Sequence, residues 1–156
     1  MSYFEDSTEY QYENREKDGS VNIGWLDINH SYATGEVTTE FIDKLWIYLS
    51  FPINIYRGFH SCELCKKRTN DSVPTVFYKG EQREVGFHEI RVFSHNKKVY
   101  AAPTLIFHYI VEHQYKPPDE FIDAVLDGPE PGSAEYMELI EPFCTHVNKE
   151  VWWNIK

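Results

Sequence analysis

The chain has 156 residues, of which 42% are hydrophobic and 16% aromatic, a composition that excludes a disordered or collagen-like protein and suits a single domain. Lys and Arg total 15 against 25 Asp and Glu, and the resulting net charge of -10 excludes general binding to nucleic-acid phosphates. The same charge permits a basic protein partner, and the aromatic residues suit a protein-binding face.

The N-terminus indicates the compartment. It has neither the basic nor the apolar region of a secretory signal, and no apolar run reaches the ~18 residues of a membrane span. We therefore expect a cytoplasmic, thiol-reducing location and no membrane association. In that compartment a C-x-x-C pair is more often metal-binding or redox-active than a structural disulfide.

The first part of the chain combines a polar arm, one clear helix and several short strands. Residues 1–20 form the polar N-terminal arm, whose tyrosines could anchor it to the domain. TTEFIDKLWIYLSFP (38–52) predicts a helix, because apolar residues recur at helical spacing, Thr38 or Thr39 can cap it and Pro52 stops it. VNIGWLDI (21–28) is predicted to be a short strand or a turn. Short strands are predicted for INIYRGF (53–59), TVFY (75–78) and GFHEIRVF (86–93).

The second part predicts a hairpin followed by helices. The strand over 86–93 alternates apolar and polar residues, and SHNKK (94–98) turns it into VYAA (99–102). Pro103 suits the first position of a helix. Helices are predicted over 103–115, 117–126 and 133–143, the last with Ser133 as its cap. The fold class is therefore α+β, with a small antiparallel sheet and about four helices. Residues 21–126 form the domain, and 127–156 form a helical extension that packs on it.

The stretch HSCELC (60–65) holds two of the three cysteines, Cys62 and Cys65. Two residues between thiolates allow both to bind one tetrahedral zinc, with the backbone folded into a zinc knuckle. A redox pair is an alternative, although such a motif normally opens a helix after a buried strand and a polar loop follows here. Two inert, reduced cysteines are the other alternative.

Further ligands for a metal are available in HYIVEH, where His108 and His113 are separated by four residues. Positions five apart lie roughly 140° apart around a regular helix, so both can bind one ion only if the last turn loosens. His113 falls among apolar residues and could equally be a hydrogen-bonded core histidine. His60 could replace either helical histidine as a ligand, or order its loop through a backbone hydrogen bond.

A catalytic zinc would keep an open position and a nearby acid or base, for which Glu63, Glu89 and Glu112 are candidates. No catalytic motif supports this. HEIRV lacks the second histidine of H-E-x-x-H, HYIVEH is one residue too long for H-x-x-E-H, and Ser61 stands where a deaminase has proline. The chain also has no phosphate-binding glycine motif. We therefore assign no catalytic residue.

Several stretches together resemble a family of small, uncharacterised bacterial proteins, a domain of unknown function. They are NIGWLD (22–27), TGEV (34–37), RGFHSCELC (57–65), EIRV (89–92) and YAAPTLIFHYIVEHQYKPPDEF (100–121). The resemblance spans roughly residues 3 to 126 and implies a shared site formed by Arg57, His60, Cys62, Cys65, Glu89, Arg91, His108 and His113. His88 departs from the polar amide expected before EIRV and receives no role. Residues 127–156, with Cys144, His146, Trp152 and Trp153, fall outside it.

The sequence thus predicts that Zn²⁺ ties the HSCELC knuckle to the 103–115 helix through Cys62, Cys65, His108 and His113. Arg57, His60, Glu89 and Arg91 form the alternative ligands or polar site. Two functions follow from this. The first is a structural-zinc interaction module, for example an immunity- or antitoxin-type partner of a basic protein. The second is a zinc-dependent hydrolase with an open coordination position, which a closed four-ligand site would remove.

Overall fold

The computed structural model describes residues 3–11, 17–66 and 72–144. Within these ranges the chain forms four α-helices, five β-strands and one 3₁₀ turn, so the predicted α+β class is confirmed. In chain order the elements are β1 (Val21–Asn22), α1 (Thr39–Tyr48), β2 (Thr75–Tyr78), β3 (Glu81–Glu84), β4 (Glu89–Phe93), β5 (Val99–Pro103), α2 (Ile106–His113), α3 (Asp119–Asp127), α4 (Ala134–Ile140) and the 3₁₀ turn Glu141–Phe143. None of the described helices is both long and apolar enough to cross a membrane.

The central sheet has the order β1-β5-β4 and is mixed rather than wholly antiparallel. β4 and β5 form the predicted hairpin, with Glu89 opposite Pro103 and Phe93 opposite Val99. β1 pairs with β5 in parallel, with Val21 opposite Tyr100. A parallel pair needs a long crossover, and α1, the β2-β3 hairpin and β4 all lie between these two strands in sequence.

Both faces of the central sheet are covered, which corrects the predicted alternation along β4. All five β4 residues are buried. Ile90 and Val92 belong to the main core, which also includes Phe41 and Phe121 with ring centroids 6.3 Å apart. On the opposite face, Ala101 packs with Tyr10, Trp25 and Phe4 from the N-terminal part of the chain. The polar residues of EIRV therefore point into a second buried layer, not into solvent.

The second sheet is the antiparallel hairpin β2-β3, which lies against α1. Lys79 and Gly80 connect its strands, both with positive φ (48° and 81°), as a two-residue type I′ turn requires. The Trp46 ring packs against Tyr78 at 5.6 Å and under the Arg83 guanidinium at 4.2 Å. Strand β3 is absent from the sequence prediction, because its sequence EQRE is polar throughout and carries no strand signal.

A predicted strand and the predicted start of a helix are wrong. Residues 53–59 form no strand and contribute only an isolated bridge between Ile53 and Glu89, because Asn54 adopts a positive φ of 55°. Helix α2 does not begin at Pro103, which is the last residue of β5. The N–H of Thr104 donates to the carbonyl of His88 at 3.1 Å, so sheet pairing continues past the proline and delays the helix.

The C-terminal part of the described chain packs on the same core. Ser133 caps α4 as predicted, accepting from the N–H of Tyr136 at 3.2 Å. Tyr136 is fully buried, stacks edge-on with Tyr48 and Phe93, and donates its hydroxyl to the Arg91 carbonyl at 3.2 Å. His146, Trp152 and Trp153 lie outside the described residues.

Candidate metal centre

We call residues 60–65 the cysteine loop. It is held against the start of β4 and the segment that precedes it by backbone hydrogen bonds from the residues leading into the loop. Ile53 exchanges two bonds with Glu89 (2.7 and 3.0 Å), the N–H of Tyr56 donates to Phe87 O at 2.7 Å, and the N–H of His60 donates to Gly86 O at 2.7 Å. The irregular chain from 53 to 60 is therefore anchored at both ends. This anchoring fixes the position at which the cysteine loop begins.

Helix α2 supplies the histidines. Its buried residues Ile106, Phe107, Tyr109 and Ile110 fix the rotation of the helix and leave His108 half-buried at its margin. Its last turn is widened, as the binding of both histidines to one ion would require. The N–H of Gln114 donates to the carbonyl of Tyr109, five residues back instead of four, and Gln114 is left-handed with φ of 53°.

These two segments bring Cys62, Cys65, His108 and His113 together into a group that could hold a metal ion. One ligand atom from each residue lies within 4.8 Å of all the others. His113 Nε2 is 3.4 Å from both sulfurs, and His108 Nε2 is 3.2 Å from Cys65 Sγ. Around a tetrahedral zinc with Zn–S of ~2.3 Å and Zn–N of ~2.0 Å, sulfur and nitrogen lie roughly 3.5 Å apart. The sulfur–nitrogen spacings therefore fit one tetrahedral ion.

Burial tunes the protonation of this group. It raises the pKa of the Cys62 thiol to about 11, with the nearby Cys65 acting in the same direction. It lowers the pKa of His108, and the adjacent His113 lowers it further. His108 is therefore a neutral imidazole at neutral pH, the form that binds metals. A metal would displace the thiol proton of Cys62 and take the thiolate.

The structure places the other candidates for this site outside the four-residue group. His60 Nε2 lies 3.5 Å from the Glu63 carboxylate, so its ring is directed along its own loop. Arg57 is exposed, as is Glu112 on the outer side of α2. None of the three contributes a ligand atom to the group.

Glu89 and Arg91 form a separate, fully buried polar cluster on the far face of the sheet. Their side chains are both 0% exposed, and Arg91 Nη1 lies 2.8 Å from Glu89 Oε1. Arg91 Nη2 also binds Asp18 at 3.0 Å. Burial alone would lower the pKa of Arg91, but the carboxylates of Glu89 and Asp18 outweigh it and hold that pKa above its usual value. The pair is thus a charged structural unit.

The Glu89 carboxylate also anchors the chain that leads to the cysteine loop. The Asn54 side-chain amide donates to it at 2.7 Å, and the Tyr56 hydroxyl donates to it as well. From the N-terminal arm, the Tyr10 hydroxyl lies 2.9 Å from both carboxylate oxygens. The cluster therefore joins the N-terminal arm, the chain that leads to the cysteine loop, and β4. It contributes to the candidate centre by holding the backbone that leads into the cysteine loop.

His88 is a buried imidazole outside the metal group, and its place in the sequence indicates no role for it. Its Nδ1 lies 2.9 Å from Thr104 Oγ1, and that hydroxyl donates to the His88 carbonyl at 3.1 Å. Since the hydroxyl proton is used in that bond, the imidazole must donate from Nδ1. Burial lowers the pKa of His88 to about 4, so the ring is neutral in the folded protein. No sequence signal distinguishes such a residue from a surface histidine.

A pocket of about 140 Å³ lies beside the candidate metal group. Its lining includes Cys62, Cys65 and His108. The hydroxyl-bearing Ser61, Ser72 and Thr75 also line it. The sulfurs are therefore next to a space large enough for a few water molecules or a small polar solute.

Fold and site together define an α+β domain with a Cys₂His₂ group able to hold a metal. A family described as "Domain of unknown function (DUF7919)" matches residues 2–126, and the chain belongs to that family. This match confirms the resemblance to a domain of unknown function that the sequence motifs indicate. Both the match and the resemblance extend to residue 126. No curated protein and no solved structure matches the chain significantly.

Proposed function

We propose that the protein is a zinc-binding module in which one Zn²⁺ joins the cysteine loop to the end of α2. The observation that carries this proposal is the convergence of four metal-binding atoms within 4.8 Å from two segments more than forty residues apart. Two thiolates with two imidazoles form a donor set typical of structural zinc. The cytoplasm, where thiols remain reduced, is the compartment that suits such a site.

The geometry favours a structural ion over a catalytic one. Four protein ligands complete a tetrahedral shell, whereas a zinc hydrolase keeps one position for water. Of the three candidate bases, Glu89 is bound within its buried cluster, Glu63 lies by His60, and Glu112 is exposed on the outer side of α2. A hydrolase would need one of the four ligands to leave the ion and a substrate to enter the adjacent pocket. The zinc-dependent hydrolase is therefore the second candidate.

Elemental analysis of protein purified without chelators tests the zinc proposal. We expect about one zinc per chain, as one tetrahedral four-ligand site requires. Cys62→Ser and His113→Gln should each lose it. Cys144→Ser and His95→Gln are matched controls, because neither residue belongs to the group, and both should retain the metal. Wild-type protein without zinc, or a Cys62→Ser variant with full zinc, would contradict the proposal.

For the biological role we propose an interaction module that binds a basic protein, as an immunity or antitoxin protein does. The net charge of -10 supports this. So does the surface beside α3, where exposed Asp123 and Asp127 border a hollow of about 330 Å³ whose rim also holds the Lys98–Glu120 ion pair. A positively charged partner would approach such a surface faster and at longer range.

Co-expression with a basic protein encoded beside this chain tests the partner proposal. We expect a stable complex that weakens as salt rises, since the charges involved are exposed. The combined change Asp123→Lys and Asp127→Lys should weaken it. The same reversal at exposed Glu36 and Glu40 serves as the control. Equal loss with both sets, or no complex at all, would count against this surface.

A further inference from the structure

The two sulfurs of the candidate centre differ in how far they can be reached. Cys62 is buried at 6% exposure, whereas Cys65 is half-buried. Both line the 140 Å³ pocket described above. A small neutral oxidant can therefore meet Cys65 first, while a protein or other large reagent cannot enter.

The two sulfurs also lie close to each other. Both are 3.4 Å from the same nitrogen, His113 Nε2, and all four ligand atoms lie within 4.8 Å of one another. The residues between them, Glu63 and Leu64, form a turn that belongs to no helix or strand. Closing a disulfide requires a sulfur–sulfur distance of ~2 Å, which a turn can reach by a local change that leaves the sheet unaltered.

We infer that the Cys62–Cys65 pair is a peroxide-reactive site, whose oxidation to a disulfide expels the bound zinc; this inference rests on the proposed zinc site. In the first step the Cys65 thiolate attacks one oxygen of hydrogen peroxide. The O–O bond breaks, and Cys65 becomes a sulfenic acid as hydroxide leaves. In the second step the Cys62 thiolate attacks Cys65 Sγ, the S–O bond breaks and a second hydroxide leaves.

The two steps balance. Two thiolates lose two electrons, peroxide gains two, and two protons from solvent convert both hydroxides into water. Both sulfurs are lost as thiolate ligands, so only His108 and His113 remain, and two imidazoles without thiolates hold zinc far more weakly. The cysteine loop is then no longer tied to α2. A thiol reductant together with zinc reverses the change, because exchange returns both sulfurs to thiolates.

The test uses the intact zinc-loaded protein. Hydrogen peroxide is added in steps, released zinc is followed with a chromogenic chelator, and the product is digested for mass mapping. We expect about one zinc released per disulfide formed, and a Cys62–Cys65 peptide lighter by ~2 Da. Dithiothreitol with added zinc should restore the original zinc content.

The Cys144→Ser variant is the matched control. Cys144 donates to the Ile140 carbonyl at 3.3 Å and lies outside the metal group, so the variant should release zinc as the wild type does. Retention of zinc under peroxide that oxidises glutathione overturns the inference, as does a disulfide that includes Cys144. Protein that carries no zinc from the start overturns the proposed function itself, a result distinguishable from zinc that is present and unreactive.

Discussion

The carbonyl oxygen of His60 lies where a side chain on Gly86 would have to go. The N–H of His60 donates to Gly86 O at 2.7 Å, and a Cβ placed on Gly86 would come within 2.5 Å of His60 O. Gly86 also has a φ of +92°, which side chains rarely permit. This contact sets the position of the cysteine loop relative to the sheet.

Gly86→Ala should therefore cost more than an ordinary change at a left-handed glycine. Positive φ alone costs about 1–2 kcal/mol for a residue with a Cβ. Gly80 has a similar φ of +81°, and a Cβ added to it would meet nothing within 4 Å, so Gly80→Ala is the matched control. We expect Gly86→Ala to be less stable in urea than Gly80→Ala and to bind zinc more weakly. Equal stability and equal zinc affinity would show that the loop adjusts freely.

Glu89→Gln should destabilise the protein strongly, because it leaves the Arg91 guanidinium buried next to a neutral amide. Removal of one charge from a buried pair costs about 3–5 kcal/mol. Asn54 and Tyr56 also lose a charged acceptor, so zinc affinity should fall together with stability. Chemical denaturation and chelator competition measure the two effects. Glu84→Gln on exposed β3 is the control and should change stability by less than about 0.5 kcal/mol.

Removal of the proposed zinc should loosen one region and leave the core folded. Zinc contributes an apparent ~10–16 kcal/mol in finger peptides that have no other core. Here Phe41, Ile90 and Phe121 are buried without any contribution from a metal. After chelation we expect a lower Tm and faster hydrogen exchange in residues 53–66 and at the end of α2. Faster exchange throughout β4 and β5 would mean that the whole fold depends on the ion.

His88 should make the protein less stable in mild acid. Its pKa is about 4 when folded and 6.5 when free, so the unfolded chain binds the proton more readily. The contribution of neutral His88 is complete above the unfolded pKa and is lost as pH falls from 6.5 toward 4. Between about pH 7 and pH 4, wild type should lose about 3 kcal/mol more than His88→Gln, at ~1.4 kcal/mol per pKa unit. Urea unfolding at several pH values measures this, and parallel curves would contradict it.

Local signals in the sequence account for the elements that are predicted correctly. Thr38 caps α1 through the N–H of Phe41, and the turn over 94–98 joins β4 to β5 as expected. The spacing of cysteines and histidines also indicates the four residues that the fold brings together. These features depend on residues close in sequence, or on ligand types that are rare in the chain.

The features that sequence reasoning misses depend on distant partners. The EIRV stretch has the alternating pattern of a half-exposed strand. Its charged residues are buried because Glu89 and Arg91 pair with each other, and nothing local in the sequence shows that pairing. Asp18, the other partner of Arg91, is 73 residues away, and no periodicity reports such a contact. Pro103 has the local signal of a helix start. It ends β5 instead because it pairs with Glu89 across the hairpin, a tertiary contact that no local pattern reports.

The Asp18–Arg91–Glu89 cluster has a consequence for how the chain folds. Tyr10 and Asp18 must wait for β4 to be synthesised before they meet their partners, and β1 must wait for β5. Such distant pairings carry a large loop-closure entropy and form late. Until they form, Arg91 has to stay hydrated, so the far face of the sheet cannot close around it. The N-terminal segment is therefore expected to be the last part to dock, although it is synthesised before β4 and β5.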